Sequence, residues 1–123
     1  MAKIRASMNG GGGGGASEFV YLKTVKEVSS LSITVSDLQA GKEYQILLIS
    51  GWPNASYNDY SAVTVSSITN SSDLEAVISP TGVYTYGGGH SDYSMYKFKA
   101  TSTSVIVNRG TNINTDVVIF ERA

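Results

Sequence analysis

The sequence predicts an all-β fold: an antiparallel β-sandwich, jelly-roll-like, with about eight or nine strands. Three observations carry this. From Phe19 onward the chain is rich in Val, Ile, Thr, Tyr and Ser, which suit a pleated, half-buried surface and are mediocre helix formers. Apolar and polar residues alternate with a period of two in several segments. Turn residues (Gly, Asn, Asp, Ser and Pro) separate those segments at spacings of about ten residues.

Taken in order, residues 1–16 contain the tract Gly10 to Gly15, which can bury nothing and has the most backbone entropy to lose, so a flexible tether is expected there, with the sandwich in 17–123. Phe19 to Val25 is the first expected strand of the sandwich. Leu31, Ile33 and Val35 alternate with Ser32, Thr34 and Ser36, as in a strand with one wet face. Tyr44 to Ile49 and Val117 to Phe120 are apolar on both alternating sets, which predicts strands in the middle of a sheet, covered on both faces or lying at a contact between subunits. Val63 and Val65 alternate again. Leu74 to Ser79 and Val83 to Tyr86 are read as two further strands. A single helical turn over Ser72 to Ile78, capped by Ser71, Ser72 or Asp73, ranks below strand because Pro80 would end it at once. Tyr96, Phe98 and Ala100 should face the core while Lys97 and Lys99 face water, and Val105 to Asn108 completes the set.

The chain has 123 residues and 13.0 kDa, enough for one core, and no cysteine, so neither a disulfide framework nor a thiolate metal site is expected. Nine basic and ten acidic side chains give a net charge of -1 without a run of either sign, which argues against nucleic acid and anionic membrane as partners. The start carries Lys3 and Arg5 but leads into glycine instead of an apolar stretch, so no signal peptide is read there and cytosolic synthesis is expected. The longest apolar run, Ile46 to Ile49, is too short for a membrane span.

Within Ser36 to Leu48, the spacing Leu38-x-x-Gly41-x-x-Tyr44 resembles the tyrosine-corner segment of fibronectin type III and related sandwiches. There a buried tyrosine ring packs inside while the turn supplies a backbone partner for its hydroxyl. In that family the corner lies near the end of the domain, whereas here 79 residues follow Tyr44 and Ala40 stands at the usual proline. The layout as a whole, a short basic start, a glycine run and then a sandwich with this corner, resembles small bacteriophage and prophage tail or receptor-binding modules. That resemblance implies a virion or tail component that acts outside the cell after lysis, as a homo-oligomer among other particle proteins.

Chemistry-bearing residues are few. His90 is the only histidine, in Gly87-Gly88-Gly89-His90-Ser91-Asp92, and Ser91 lacks the second glycine and the helix of a nucleophile elbow. The three glycines match no phosphate-binding motif and read as a turn. Asp59, Asp73, Asp92 and Asp116 do not have the spacing of a calcium loop, so no metal and no cofactor is expected. The enriched feature is aromatic. Trp52, Tyr57 and Tyr60 lie in one presumed connection, and Tyr84, Tyr86, His90 and Tyr93 in another. Rigid amphipathic rings beside Asn54, Asn58, Asp59 and Asp92 would stack on sugar faces while polar neighbours bond hydroxyls, so a host-surface glycan is the ligand expected; the same residues would also serve a protein interface. Packing of the sandwich edge by these tyrosines is the competing account. The sequence thus leads to a non-enzymatic structural or receptor-binding component of a phage particle. A carbohydrate-binding or adhesion module and a purely structural self-assembling protein are the rivals.

Overall fold

The computed structural model describes residues 5–7, 18–52, 60–85 and 89–123. The tract Gly10 to Gly15 and the aromatics Tyr57 and Tyr86 lie outside the described residues.

The described residues form nine strands: β1 (Arg5–Ser7), β2 (Glu18–Val28), β3 (Ser32–Val35), β4 (Glu43–Trp52), β5 (Val65–Thr69), β6 (Ser71–Thr85), β7 (Gly89–Ala100), β8 (Val105–Arg109) and β9 (Thr115–Arg122). A 3-10 turn, Tyr60–Ala62, precedes β5. One sheet has six strands in the order β1-β2-β9-β4-β7-β6 and the other has three, β3-β8-β5, with every pairing antiparallel. The pairs β2 with β9, β3 with β8 and β4 with β7 nest inside one another along the chain, so the topology is one long antiparallel ribbon rolled up. The further ladders β4 with β9 and β5 with β8 close the roll, which is the jelly-roll arrangement. The short β1, within the segment expected to be a tether, pairs Arg5 with Val20 at one edge.

Both segments that are apolar on alternate sets fall in the interior of the larger sheet, as β4 and β9. The core between the layers holds Ile33, Val35, Tyr44, Ile46, Leu48, Phe98, Val105, Val107, Val117 and Ile119, all almost fully buried. Burying one such side chain stabilises by about 1.5–3 kcal/mol relative to leaving it exposed. Tyr96, Phe98 and Ala100 point inward and Lys99 is exposed, as the alternation requires, whereas Lys97, expected in water, is half-buried and paired with Glu75 at 3.2 Å.

Three further expectations need correction. Leu31 is 53% exposed in the bend before β3, which begins at Ser32, although its carbonyl still accepts the Arg109 N–H at 3.0 Å across the β3–β8 pair. Val63 is buried but sits in the turn after Tyr60–Ala62, and the strand starts at Val65. The two strands expected on either side of Pro80 are one, β6. Proline is tolerated because β6 lies at the sheet edge, where one side of the strand needs no donor. Three register shifts along β6 and the positive φ of Asp73 also irregularise this long edge, which blunts it against pairing with another chain.

The tyrosine corner is present as geometry. Leu38 and the Tyr44 ring are buried, Gly41 has φ 89, and the Gln39 N–H donates to the Tyr44 hydroxyl at 2.7 Å. The ring stacks on Phe98 with centroids 5.9 Å apart.

A second local device closes the other end of β2. Glu27 has φ 52, and its N–H donates to Asp116 Oδ1 at 2.8 Å while Lys26 Nζ donates to Oδ2 at 3.1 Å. The backbone bond, assisted by Lys26, holds the Asp116 carboxyl below its ordinary pKa. A depressed carboxylate pKa means that this stabilisation is complete above the ordinary value and is lost as pH falls through the depressed one. Urea denaturation should therefore show wild type more stable than Asp116→Asn by at most about 1 kcal/mol at neutral pH. That difference should shrink towards zero in strong acid.

Candidate functional site

The end of the sandwich where β4 finishes and β7 begins is built from the register of three strands. Ser50 is opposite Asp92, which is opposite Gly82. Two residues further along, Trp52 is opposite His90, which is opposite Tyr84. Three of the seven aromatic or imidazole residues singled out in the sequence thus occupy one row across adjacent strands. Tyr93, half-buried opposite Ile49 and Thr81, has the parity of Met95 and so stands on the other face of the sheet from Asp92; the structure does not bring it to this row as the sequence reading expected. Tyr60 approaches from the 3-10 turn and is 38% exposed. The two aromatic segments, far apart in the chain, meet at one end of the fold.

Tyr60 is placed by a glycine. A Cβ on Gly82 would lie 2.8 Å from Asp92 Oδ1 and 3.1 Å from Tyr60 Cε1, so the tyrosine ring rests against β6 at the one residue without a side chain. Gly82→Ala forces Tyr60 or Asp92 to move in a close-packed site, and a loss of about 1–3 kcal/mol in urea denaturation is expected.

Beneath this row lies a polar floor. Asp92, Ser50 and Ser94 are fully buried. Ser50 Oγ donates to the Asn114 carbonyl at 3.2 Å and Ser94 Oγ to the Val63 carbonyl at 2.6 Å, while the Tyr96 hydroxyl accepts the Val65 N–H at 3.2 Å. These bonds tie the connections before β5 and before β9 to the larger sheet.

Arg109, the last residue of β8, clamps the same end and is 5% exposed. Its Nε donates to the Ser30 carbonyl at 2.9 Å, Nη1 to the Ala62 carbonyl at 3.0 Å and Nη2 to the Val28 carbonyl at 3.0 Å. Nη1 also donates to Thr115 Oγ1. All four acceptors are neutral, and burial pushes the guanidinium pKa down. The fork ties the β2–β3 connection, the Tyr60–Ala62 turn and the start of β9 together, which makes Arg109 a positioning residue for Tyr60.

Neither Arg109 nor Asp92 was singled out as structural from the sequence, although a signal existed. Arg109 has the parity of Val105 and Val107, and Asp92 that of Tyr96, Phe98 and Ala100, so extending either alternation places these charges inside.

The geometry limits the chemistry on offer. Ser91 and Asp92 are consecutive in β7, with Asp92 buried between the layers, so their side chains leave the sheet on opposite faces and do not converge. Among the described residues no group of three or more His, Asp or Glu could hold a metal ion. At the opposite end a hollow of about 500 Å³ is lined by Gly41, Lys42, Glu43, Asp73, Lys99, Arg122 and Ala123. Two of its cations are paired within the fold: Lys42 bonds Glu121 at 3.0 Å and Arg122 bonds Glu43 at 2.6 Å, with the guanidinium 4.6 Å from the Phe19 ring centroid. No helix of the described residues is long and apolar enough to cross a membrane.

The fold and the site together define a jelly-roll sandwich with an aromatic end. No family model matches the chain, and no curated protein or solved structure matches it at a significant level.

Proposed function

We propose that the chain is a non-enzymatic, receptor-binding component of a phage or prophage particle, a tail, fibre or baseplate accessory that binds a host-surface glycan through the aromatic end of its sandwich. The observation that carries this reading is the row Trp52, His90 and Tyr84 on three adjacent strands, with Tyr60 seated against Gly82 in the row beside it. Aromatic side chains offer broad amphipathic surfaces with few rotatable bonds, which suits the apolar face of a sugar. The phage context rests on the resemblance of layout described above. A carbohydrate-binding adhesion module outside any particle would use the same end.

Host-cell and glycan-array binding test the reading. Trp52→Ala, Tyr60→Ala and Tyr84→Ala should each weaken binding by about tenfold, the equivalent of 1.4 kcal/mol, with circular dichroism unchanged. Binding that survives all three substitutions together removes the aromatic end from the account.

A further inference from the structure

The two edges of the larger sheet are built differently. One is β6, a long strand broken by register shifts. Towards the other lies β2, eleven residues long, of which Glu18, Phe19 and Val20 alone are paired on their outer side among the described residues, by β1. The Ala123 N–H donates to the Glu18 carbonyl at 3.0 Å, so the backbone polar groups of Glu18 face β9 and those of Phe19, by alternation, face Ala6 of β1. Phe19 is a fixed platform for that contact. Its ring is almost fully buried, packs with Met95 and Phe120, and has the Arg122 guanidinium 4.6 Å from its centroid.

β1 is held weakly by comparison. Three residues make few backbone hydrogen bonds to set against the entropy of ordering them, so the pairing stands near balance. Its connection is also unlike that of a hairpin. Ten residues, 8–17, join Ser7 to Glu18, six of them consecutive glycines, where an antiparallel pair needs about two to five. Ten residues reach up to about 33 Å, more than the width of about 24 Å across a six-stranded sheet. A connection of this length lets Arg5–Ser7 reach the matching edge of an adjacent copy, and glycine accepts the backbone angles of either route.

We propose that the β2 edge at Glu18–Val20 is a strand-accepting site and that chains exchange β1, each copy pairing its Arg5–Ser7 with the edge of its neighbour. The occupant is a second copy because β1 is the segment whose fit to this edge the structure displays, and exchange repeats the same register, Arg5 with Val20 and Ser7 with Glu18, between chains. The pairing made is the same in either state, so concentration sets the balance. A short linker holds its own strand at an effective concentration of about 1 mM, so dilute chains keep β1 on their own edge and crowded copies exchange it. The exchange does not depend on glycan binding at the aromatic end, because Glu18 lies at the end of the sheet where Arg122 meets Glu43, away from Trp52 and His90.

Disulfide trapping in the full chain tests the exchange, since the protein has no cysteine of its own. Ser7 and Glu18 form a non-hydrogen-bonded pair, whose Cα separation of about 4.5 Å a disulfide can bridge. Chains carrying Ser7→Cys and chains carrying Glu18→Cys are mixed at about 1 mM and oxidised in a glutathione buffer. Dimers joining the two variants are expected at least about tenfold above those that either variant forms alone, and should fall away on dilution to about 10 μM. Ala6→Pro in the Ser7→Cys chain removes the N–H that faces Phe19 and should cut the mixed dimer by about tenfold with circular dichroism unchanged. Ser7→Cys and Glu18→Cys in one chain should close within that chain when dilute, as the register requires. A mixed dimer no more abundant than the single-variant ones, or one indifferent to Ala6→Pro, overturns the proposal. So does a doubly substituted chain that fails to close.

Discussion

Arg109→Leu is expected to destabilise the domain by about 3–5 kcal/mol, a large part of the 5–15 kcal/mol that holds a typical domain together. Leucine fills much of the volume but donates nothing, so the carbonyls of Val28, Ser30 and Ala62 and the Thr115 hydroxyl lose a shared donor at once. A buried acceptor left without its partner costs about 1–3 kcal/mol, and water would have to enter the end of the core to relieve several together. Arg109→Lys should recover only part of the loss, because one ammonium cannot span acceptors that a planar fork reaches in several directions. Urea denaturation at constant pH measures both. A loss below about 1 kcal/mol for Arg109→Leu would mean that the clamp is replaceable by solvent. Because the guanidinium holds the Ala62 carbonyl, the same substitution should also loosen the Tyr60–Ala62 turn and weaken binding at the aromatic end.

Phe98→Ala is the other large effect expected, about 3–5 kcal/mol. The ring is 1% exposed, lies between the two layers and stacks on Tyr44, so deletion leaves a cavity that strands on both sides cannot collapse to fill. For a domain near this size each kcal/mol is worth roughly 4–8 °C of Tm, so a fall of at least about 12 °C is anticipated in a thermal melt. Phe120→Ala provides the contrast. That ring is 4% exposed yet belongs to the outer cluster, edge-on to Tyr21 at 6.2 Å. Its loss should cost less, because the buried cluster it belongs to contains only Phe19 and Met95 besides and is not enclosed between the two sheets. Equal losses for the two would mean that the two clusters behave as one core.

The contrast between these rings marks how far the chain could be read directly. Tyr96, Phe98 and Ala100 declared their direction through the alternating lysines, and Tyr44 through its corner, because both signals lie within a few residues. Leu31 misled because a period-two pattern does not say where pairing starts. Pro80 appeared to divide two strands, and only its position at a sheet edge lets one strand run through it. The aromatic residues were recognised as a set by composition, but nothing local could show that Trp52 and Tyr84 flank His90.

By itself, then, the sequence determined that this is an all-β chain, which segments lie in the middle of a sheet and which side chains enter the core. These follow from side-chain period and apolar content, properties of short stretches. The tertiary structure alone decided the rolled ribbon, the clamp of Arg109, the seat of Tyr60 on Gly82 and the meeting of the aromatic rows. Each depends on residues distant along the chain, with Arg109 reaching partners 79 and 81 positions away. Such contacts are fixed by the closure of the whole sheet and leave no periodic trace in the segments they join.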